Sequence, residues 1–535
     1  MTRLVTILTA LLAVAGAQQT RWAYRYDGPA SGYDLAYSLA IGPDSNLYAA
    51  GFSSSGSGEL GRNLTVIGLT RGGTERWIYR HDSTSHAREV AVGPDSNLYV
   101  AGMTRTAETA NDFAVISLTP GGTERWTYTY RVPGLKTDEA DAMAVAPDGI
   151  IYAAGLSDGG SGGSLFTVIS LAPDGVERWV YSYNGPGDGY DKANSVVVGP
   201  DGHIYAAGYS GGIGTRDDIT VISLTRDGTE RWVYRYNGPA NLRDQAFAIT
   251  VGPDSNLYVA GMIRGMRSTD FGVISLTPAG TERWVYGHNG PGEETDAATS
   301  IAVGPDGNVY AGGTRANSSS NYDFTVISLD SDGEERWMYT HGGTARASDG
   351  VWAIALGPGG SIYASGYVTN DRTRQDFTVV NLSSTGIERW IHSYDGPGNN
   401  SDDGLAVTLG PDGFVYAAGY SGGIGTNADF TVLSVDPAGA VAEPDPMPGR
   451  TGFVLRAGGI RGRALDYTLH LPEPAMVRLS LFDRQGRKLD GWQVSAPAGI
   501  SRQARSLPSV AAGVYFLTAE IPGHRAGAKV IRTAD

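Results

Sequence analysis

Short apolar stretches alternate with polar turn sequences along almost the whole chain. A representative stretch contains four such segments, 298–304 (ATSIAVG), 308–314 (NVYAGGT), 323–329 (DFTVISL) and 335–341 (ERWMYTH). Each is rich in β-branched or aromatic residues, and several alternate in polarity, which is typical of β-strands. Pro-Asp-Gly lies between the first two segments and Asp-Ser-Asp-Gly between the last two, and both favour hairpin turns. The pattern predicts four consecutive antiparallel strands.

This four-strand pattern recurs eight times, which two aromatic columns make visible. The tryptophan column has spacings of 49–55 residues and consists of Trp22, Trp77, Trp126, Trp179, Trp232, Trp284, Trp337 and Trp390. The tyrosine column consists of Tyr48, Tyr99, Tyr152, Tyr205, Tyr258, Tyr310, Tyr363 and Tyr416. Four antiparallel strands in about 53 residues match one blade of a propeller. We therefore predict an all-β chain with an eight-bladed β-propeller.

The ends of the repeat array predict how the ring closes. The small side chains of 298–304 favour the innermost position of a blade, and the bulky tryptophan strand favours the outer edge. Residues 21–26 (RWAYRY) form a lone strand of the tryptophan type, whereas the eighth repeat ends after 429–435 without one. We therefore predict that the N-terminal strand completes the eighth blade, which would leave no free sheet edge.

The repeats resemble bacterial β-propeller repeat families. The Asp-Gly turn followed by ERWVY at 230–234 is similar to the repeat of pyrroloquinoline-quinone-type propellers, in which a tryptophan docks between blades. The resemblance covers about 22–437. It implies the fold, and it implies no particular activity because propellers host many functions.

The N-terminus has the features of a secretory signal peptide. Arg3 precedes an apolar run that ends in Ala15-Gly-Ala17, the small-residue form of a cleavage site. We predict a signal peptide at 1–17 and the propeller at 18–439, with no membrane span after cleavage. The chain has no Cys, which excludes disulfides, thiolate catalysis and cysteine zinc sites. The expected location is extracellular or at the outer cell surface.

A Pro-rich linker at 440–452 predicts a separate C-terminal domain at 453–535. Alternation in Val477–Phe482 indicates strands, and the whole region predicts a small Ig-like β-sandwich. It resembles the sorting domain of the type IX secretion system, and the matching segments are Tyr467–Pro472, Val477–Arg487, Gly513–Phe516 and Lys529. The usual Asn-Pro opening is replaced by TGFVLRAGGIRG. The resemblance implies export through the secretion machinery, while an Ig-like domain without a sorting role is the alternative.

Charge is distributed unevenly between these regions. The chain has a formal net charge of −15, but residues 450–535 hold 13 Lys and Arg against 6 Asp and Glu, so the remainder carries −22. An acidic body argues against nucleic acid or an anionic membrane as a partner.

One acidic column stands ahead of the first strand of each repeat. Its seven aspartates are Asp34, Asp138, Asp191, Asp244, Asp296, Asp349 and Asp402, with Ser85 in the remaining repeat. A turn aspartate that accepts hydrogen bonds from nearby backbone amides is one interpretation. The other is a ring of carboxylates at the channel mouth that binds a hard cation such as Ca²⁺.

The sequence offers little catalytic chemistry. The eight His residues form no metal-binding motif such as HExxH. An enzyme should have one blade that breaks the repeat and places unique charged residues in the channel, and the repeats look interchangeable. We therefore expect a non-catalytic binding or structural module for an extracellular protein or glycan, with no cofactor apart from Ca²⁺ on the aspartate column. The alternative is a secreted propeller enzyme, either glycan-active or a quinone-dependent dehydrogenase.

Overall fold

The structure is a computed structural model. It describes residues 20–436 and 454–532, with gaps at 57–60, 106–110, 133–136, 161–162, 188, 462–463, 472–473, 484–486, 497–498, 508–512 and 522–523. The predicted signal peptide at 1–17 and the linker at 440–452 lie outside the described residues. The chain divides into two compact units, residues 1–439 and residues 440–535.

Among its described residues the first unit is all-β, with a short 3-10 turn at Pro358–Gly360. Its strands up to the third repeat are β1 (Thr20–Tyr26), β2 (Leu35–Ile41), β3 (Leu47–Ser54), β4 (Arg62–Leu69), β5 (Glu75–Val92), β6 (Leu98–Arg105), β7 (Asn111–Leu118), β8 (Glu124–Tyr130), β9 (Glu139–Val145), β10 (Ile151–Asp158), β11 (Ser164–Leu171) and β12 (Glu177–Tyr183). The next two repeats contain β13 (Lys192–Val198), β14 (Ile204–Gly211), β15 (Asp217–Leu224), β16 (Glu230–Tyr236), β17 (Gln245–Val251), β18 (Leu257–Arg264), β19 (Thr269–Leu276) and β20 (Glu282–His288). The last three contain β21 (Ala297–Val303), β22 (Val309–Ser318), β23 (Asn321–Leu329), β24 (Glu335–His341), β25 (Gly350–Gly357), β26 (Ser361–Asn370), β27 (Arg374–Leu382), β28 (Glu388–Tyr394), β29 (Asp403–Leu409), β30 (Val415–Ser421) and β31 (Asp429–Val435).

These strands form successive antiparallel meanders. Five sheets contain four consecutive strands each, beginning at β9, β13, β17, β21 and β25, and a sixth has the order β1-β31-β30-β29. The strands β2 to β8 form one seven-stranded sheet, because the long β5 serves as fourth strand of the first repeat and first strand of the second. Such a succession of four-stranded sheets is the arrangement of a β-propeller.

The predicted partner of the N-terminal strand is confirmed. β1 pairs antiparallel with β31, from Thr20 opposite Val435 to Tyr26 opposite Phe430. The ring of Trp22 lies 5.9 Å from that of Tyr416, the same contact that the other seven tryptophans make with their column tyrosines at 5.9–6.0 Å. Trp22 itself is half-buried.

The apolar core lies between the sheets of neighbouring repeats. In one cluster, Tyr205 and Val221 of the fourth repeat pack against Ala246 and Ile249 of the fifth. Hydrogen bonds reinforce these contacts at the outer strands, where the indole N–H of Trp179 donates to the carbonyl of Arg226 in the next repeat at 3.0 Å. The indoles that donate equivalent bonds are those of Trp22, Trp77, Trp126, Trp232, Trp284 and Trp337. Adjacent sheets are therefore bound by the residues that define the repeat.

A β-bulge interrupts the first strand of every repeat at the same place. In the fourth repeat, Ala193 pairs with Gly208 and Ser195 with Ala207, so that Asn194 has no partner in the ladder. The carbonyl oxygen of Lys192 lies where a Cβ on Gly208 would stand, and the equivalent glycine of each other repeat meets the same backbone atom. The bulged residues are Tyr37, Arg88, Asp141, Asn194, Phe247, Thr299, Trp352 and Leu405. Bulges of this kind redirect a side chain away from the regular alternation.

The second unit is also all-β and has its own core. Its strands are β32 (Val454–Arg461), β33 (Ala464–Leu471), β34 (Ala475–Asp483), β35 (Lys488–Ala496), β36 (Gly499–Ser506), β37 (Gly513–Ile521) and β38 (His524–Arg532). They have the order β35-β34-β37-β38-β32-β33-β36, with β38 joined to β32 by a single residue pair. Leu465 and Leu469 of β33 share a core with Leu479 and Leu481 of β34, so strands from both sides of this junction pack together. No helix among the described residues is long and apolar enough to cross a membrane.

Candidate functional site

The seven column aspartates occupy equivalent buried positions. Each carboxylate accepts two backbone N–H bonds, one from the residue six positions before it and one from the residue twenty positions after it, at 2.5–3.1 Å. For Asp191 these donors are Gly185 and Gly211, both at 2.7 Å. Its own N–H donates to the carbonyl of Ser164 in the preceding repeat. Each aspartate therefore connects its loop to two sheets.

The column does not gather into one ring-shaped cluster among the described residues. Carboxylate oxygens within 4.8 Å of one another occur in two groups of three, each with one column member: Asp27, Asp34 and Asp429, and Asp376, Asp395 and Asp402. A shared Ca²⁺ site for all seven stays a prediction, while the backbone contacts give each aspartate a role in its own loop. In the second repeat Ser85 replaces aspartate, and there the loop is absorbed into the continuous strand β5.

Burial changes the acidity of these carboxyls. It raises the pKa of Asp34, Asp244 and Asp349 to about 6 and that of Asp402 to about 7, although the backbone N–H bonds act in the opposite direction. Burial also raises the pKa of Asp138, Asp191 and Asp296. A second column behaves differently: at Asp44, Asp95, Asp201 and Asp254, hydrogen bonds to the carboxylate outweigh burial and lower the pKa.

These shifts predict that the melting temperature rises by a few degrees between pH 8 and pH 5. A carboxyl with a raised folded pKa adds stability that is complete below its unfolded pKa and is lost as the pH increases through the folded pKa. The lowered pKa values of His86, His288 and His341 oppose this, but the raised carboxyls outnumber them. Below about pH 4 the second aspartate column should reverse the trend.

Thermal melts followed by circular dichroism between pH 8 and pH 3 test this prediction. Asp244→Asn should flatten the rise between pH 8 and pH 5, whereas Asp201→Asn, from the column with lowered pKa values, should leave that rise intact. A wild-type melting temperature that falls steadily from pH 8 to pH 5 would contradict the assignment.

Charged residues also lie on the first strands, where they differ from repeat to repeat. Arg88 and Asp141 are bulged residues, and Glu139 and Lys192 begin the first strands of the third and fourth repeats. Equivalent positions in the fifth and sixth repeats carry Gln245, Phe247, Ala297 and Thr299. The first strands of the second to fourth repeats are therefore charged at these positions, and those of the fifth and sixth repeats are neutral.

Four of these residues form a network that we call the first-strand cluster: Arg88, Glu139, Asp141 and Lys192. The Nε of Arg88 lies 2.8 Å from Glu139 Oε1 and 4.0 Å from Asp141 Oδ1, and Lys192 Nζ lies 2.8 Å from Asp141 Oδ1. Burial, followed by the charge of Glu139, raises the pKa of Asp141 against the effect of the two cations. The cluster is neutral overall and partly open to solvent, with Arg88 at 32% exposure.

Aromatic rings border the cluster. The guanidinium of Arg88 lies 5.1 Å from the ring centre of Tyr37, and Tyr37 lies 5.9 Å from Phe52. The ring of His86 is 4.8 Å from Phe52, and burial lowers the pKa of His86 to about 4, so that this imidazole is neutral at physiological pH. The cluster therefore combines charged groups with flat apolar surfaces.

A pair of residues separate from the first-strand cluster lies on the first strands of the seventh and eighth repeats. Trp352, a bulged residue, is 42% exposed, and its indole N–H donates to Asp403 Oδ2 at 2.8 Å. Burial raises the pKa of Asp403 to about 7, although the bond from Trp352 acts to lower it. Burial and then the charge of Asp403 also raise the pKa of Tyr420. At neutral pH, Asp403 can therefore hold or release a proton beside an exposed aromatic ring.

Neither group of residues was predicted from the sequence. The signal was present in the aligned repeats: the second residue of most first strands is Ala, whereas the residues around it include His86, Glu139, Lys192 and Asp403. Residues that vary between repeats beside a nearly constant alanine indicate a surface whose side chains are not required by the fold. The bulge, which places the third residue outside the ladder, becomes visible only in the structure.

No protein family matches the chain, and no curated protein does. Solved structures are similar to it in fold alone. A fungal alcohol oxidase in complex with copper shares 11% identity over 96% of this chain and 100% of its own, with a TM-score of 0.38. A polysaccharide lyase shares 11% identity over 78% and 98%, with a TM-score of 0.40. The α-L-arabinanase of Penicillium chrysogenum, complexed with arabinobiose, shares 13% identity over 55% and 92%, with a TM-score of 0.34.

The expectation that the chain is not an enzyme is wrong. It rested on repeats that look interchangeable, and the first strands are not: Arg88, Glu139, Lys192 and Asp403 each occur in one repeat only. The three solved structures are enzymes by name. Their activities are their own and do not specify a reaction for this chain.

Proposed function

We propose that the repeats form a closed ring of eight blades whose first strands line a central channel. Each repeat supplies four strands, with β5 shared by the first two. The pairing of β1 with β31 supports closure, as does a core cluster in which Ala36 and Leu47 of the first repeat pack with Tyr416 and Phe430 of the last. Contacts between the first strands of successive repeats support their position around the axis.

We further propose that the protein is a glycan-active propeller that acts at the channel mouth. The observation that carries this proposal is the pair of Trp352 and Asp403: an exposed aromatic ring hydrogen-bonded to a carboxyl whose pKa is raised to about 7. Aromatic faces offer apolar area to the C–H face of a sugar, and a carboxyl that is protonated near neutral pH can act as a general acid.

The remaining residues fit a polyhydroxylated ligand. The first-strand cluster offers donors from Arg88 and Lys192 and acceptors from Glu139 and Asp141, which sugar hydroxyls can engage in both directions. Tyr37 adds a further ring beside them. In this proposal Asp403 acts as the acid, Trp352 positions a sugar ring, and the cluster binds neighbouring sugar units.

Trp352→Ala should weaken glycan binding at least tenfold, a loss of about 1.4 kcal/mol. Asp403→Asn should retain binding and reduce the release of reducing ends by about 10²- to 10⁴-fold, the usual contribution of a general acid. Phe247→Ala, a bulged aromatic residue from the neutral fifth repeat, is the matched control and should leave both properties intact. A glycan array followed by reducing-end assays measures both effects. Glycan binding that Trp352→Ala leaves unchanged would refute the proposed site, as would the absence of any bound glycan.

We propose that this site operates outside the cell, with residues 1–17 as the export signal and residues 453–535 as a sorting domain that engages the secretion machinery. The net charge reverses from negative to positive after residue 450, and segments of the C-terminal region resemble the sorting-domain motif. Both observations support a separate role for this region. A chain that ends at Gly439 should accumulate in the periplasm, which fractionation and immunoblotting would detect. Normal export of that chain would contradict the sorting role.

A further inference from the structure

A half-buried arginine without an anionic partner lies beside the aromatic rings that border the first-strand cluster. Arg62 begins β4, and its guanidinium carbon lies 4.7 Å from the ring centre of Phe52, within the range of a cation–π contact. Among the described residues, none forms an ion pair or a hydrogen bond with this guanidinium. Other half-buried arginines of the first unit are paired: Arg25 with Asp429, Arg88 with Glu139 and Arg235 with Asp218.

The imidazole of His86 is a second, independent feature that points to a ligand here. Its ring centre lies 4.8 Å from that of Phe52, and its Nε2 is buried without a hydrogen-bond partner among the described residues. Burial, followed by the positive charges of Arg88 and Arg62, lowers the pKa of His86 to about 4, so both cations act on this ring. A buried polar atom without a partner is costly, and a ligand with hydrogen-bond acceptors would satisfy it.

The combination of Arg62 and His86 occurs at one junction only, between the first and second repeats. The positions equivalent to His86 carry Leu35, Glu139, Lys192, Gln245, Ala297, Gly350 and Asp403. The positions equivalent to Arg62, which open the third strand of each repeat, carry Asn111, Ser164, Asp217, Thr269, Tyr322, Gln375 and Ala428. No other repeat has a cation at that position, so the fold does not require one.

The same rings connect this junction to the proposed glycan site. Tyr420 pairs across the ladder with Asp403. Burial raises the pKa of Tyr420, and the nearby Asp403 and Tyr37 add to this effect, so Tyr420 lies near both. Tyr37 in turn lies 5.9 Å from Phe52, the ring that Arg62 and His86 share. Aromatic side chains therefore lead from the carboxyl of Asp403 towards Arg62.

We propose that Arg62 and His86 bind an anionic group of the glycan, a carboxylate or a sulfate, so that the ligand is an acidic polysaccharide. This inference rests on the proposed glycan site and specifies the class of its ligand. The planar guanidinium of Arg62 can donate two parallel N–H bonds to the oxygens of such a group. His86 can add a third bond from Nε2, in the tautomer that an anion opposite it favours.

The acidic character of the first unit does not oppose this assignment. The chain outside residues 450–535 carries a net charge of −22. At physiological ionic strength, however, exposed charges farther apart than about 8 Å are largely screened from one another. The groups next to a bound anion therefore decide its affinity, and at this junction they are Arg62, His86 and Arg88.

A glycan array of neutral, carboxylated and sulfated oligosaccharides tests the proposal with the full chain. We expect acidic glycans to bind more tightly than neutral ones, and the carboxylated and sulfated members identify which anion is preferred. Calorimetry then compares the best acidic glycan with its neutral form, prepared by methyl esterification or desulfation. Arg62→Gln should lower affinity for the acidic form about tenfold or more and remove most of the preference. His86→Leu, which introduces the residue of the first repeat, should lower it about threefold or more.

A matched charge removal elsewhere serves as the control. Arg267→Gln, in the corresponding loop of the fifth repeat, removes an exposed arginine that pairs with Glu293, and it should keep the preference for the acidic form. Arg62→Lys, which keeps the charge, should retain part of that preference. Equal melting temperatures verify that the variants are folded.

The outcomes separate this inference from the proposed glycan site. A wild type that binds neutral glycans as tightly as acidic ones would overturn the inference, as would an Arg62→Gln variant with the full preference. Either result would leave the site at Trp352 in place. An array on which no glycan binds would instead refute the proposed function, and the inference with it.

Discussion

Deletion of residues 20–26 should destabilise the protein more than any single substitution considered above. The deletion removes the edge strand that covers β31, all seven residues of which are buried. It also removes the contact of Trp22 with Tyr416 and the bond from Tyr24 to Glu75 of the first repeat at 2.6 Å. Truncation of a buried tryptophan alone costs about 3–5 kcal/mol, and although Trp22 is only half-buried, the deletion adds the loss of a whole ladder.

Melting temperature and aggregation of the deleted chain measure this effect. Ala23→Ser, a change at an exposed position of the same strand, is the control and should melt like the wild type. The deleted chain should also aggregate, because the uncovered β31 presents a free edge. A deleted chain that melts like the wild type would show that the pairing of β1 with β31 does not stabilise the protein and would contradict the proposed closure of the ring.

Gly208→Ala is expected to have the second largest effect. Its Cβ would overlap the carbonyl oxygen of Lys192, a backbone atom that can move only if the bulge around Asn194 moves with it. Forced overlap of this kind costs roughly 1–3 kcal/mol, and more where backbone must shift. The free energy of unfolding, measured by denaturant titration, should fall accordingly.

Gly287→Ala provides a matched control. Gly287 lies at an exposed position of the outer strand β20, and a Cβ there would contact nothing within 4 Å. The substitution should be neutral, or stabilising by about 0.4–1 kcal/mol through the lower entropy of the unfolded chain. Equal losses for Gly208→Ala and Gly287→Ala would show that glycine is needed for general flexibility rather than for the bulge.

The repeat pattern predicted the all-β fold and its four-stranded antiparallel sheets because the same residues build every sheet. The columns of Trp22 and Tyr48 contribute to the cores and hydrogen bonds between neighbouring repeats, so their recurrence reports the packing directly. The lone RWAYRY segment predicted the pairing of β1 with β31 for the same reason. The glycine at the bulge was equally regular, but its role depends on a register shift that no local pattern reveals.

The candidate site could not be predicted in the same way. Arg88, Asp141 and Trp352 each occur in one repeat only. They therefore form no repeated column in the sequence, and repetition gives no signal for them. The aspartate column did recur, and it recurs because each carboxylate accepts hydrogen bonds from the backbone, as Asp191 does. The group around Phe52 needed spatial information, because Arg62 and His86 approach that ring from different strands.

The bulge in each first strand also bears on how such a protein can change over generations. A residue such as Asn194 or Trp352 lies outside the hydrogen-bonded ladder, and the glycine opposite maintains the backbone whichever side chain stands there. Selection can therefore alter these eight positions one at a time while the packing columns stay constant. A library that randomises the bulged residues and keeps the glycines would sample new recognition surfaces on an unchanged scaffold, much as antibody loops diversify on a conserved framework.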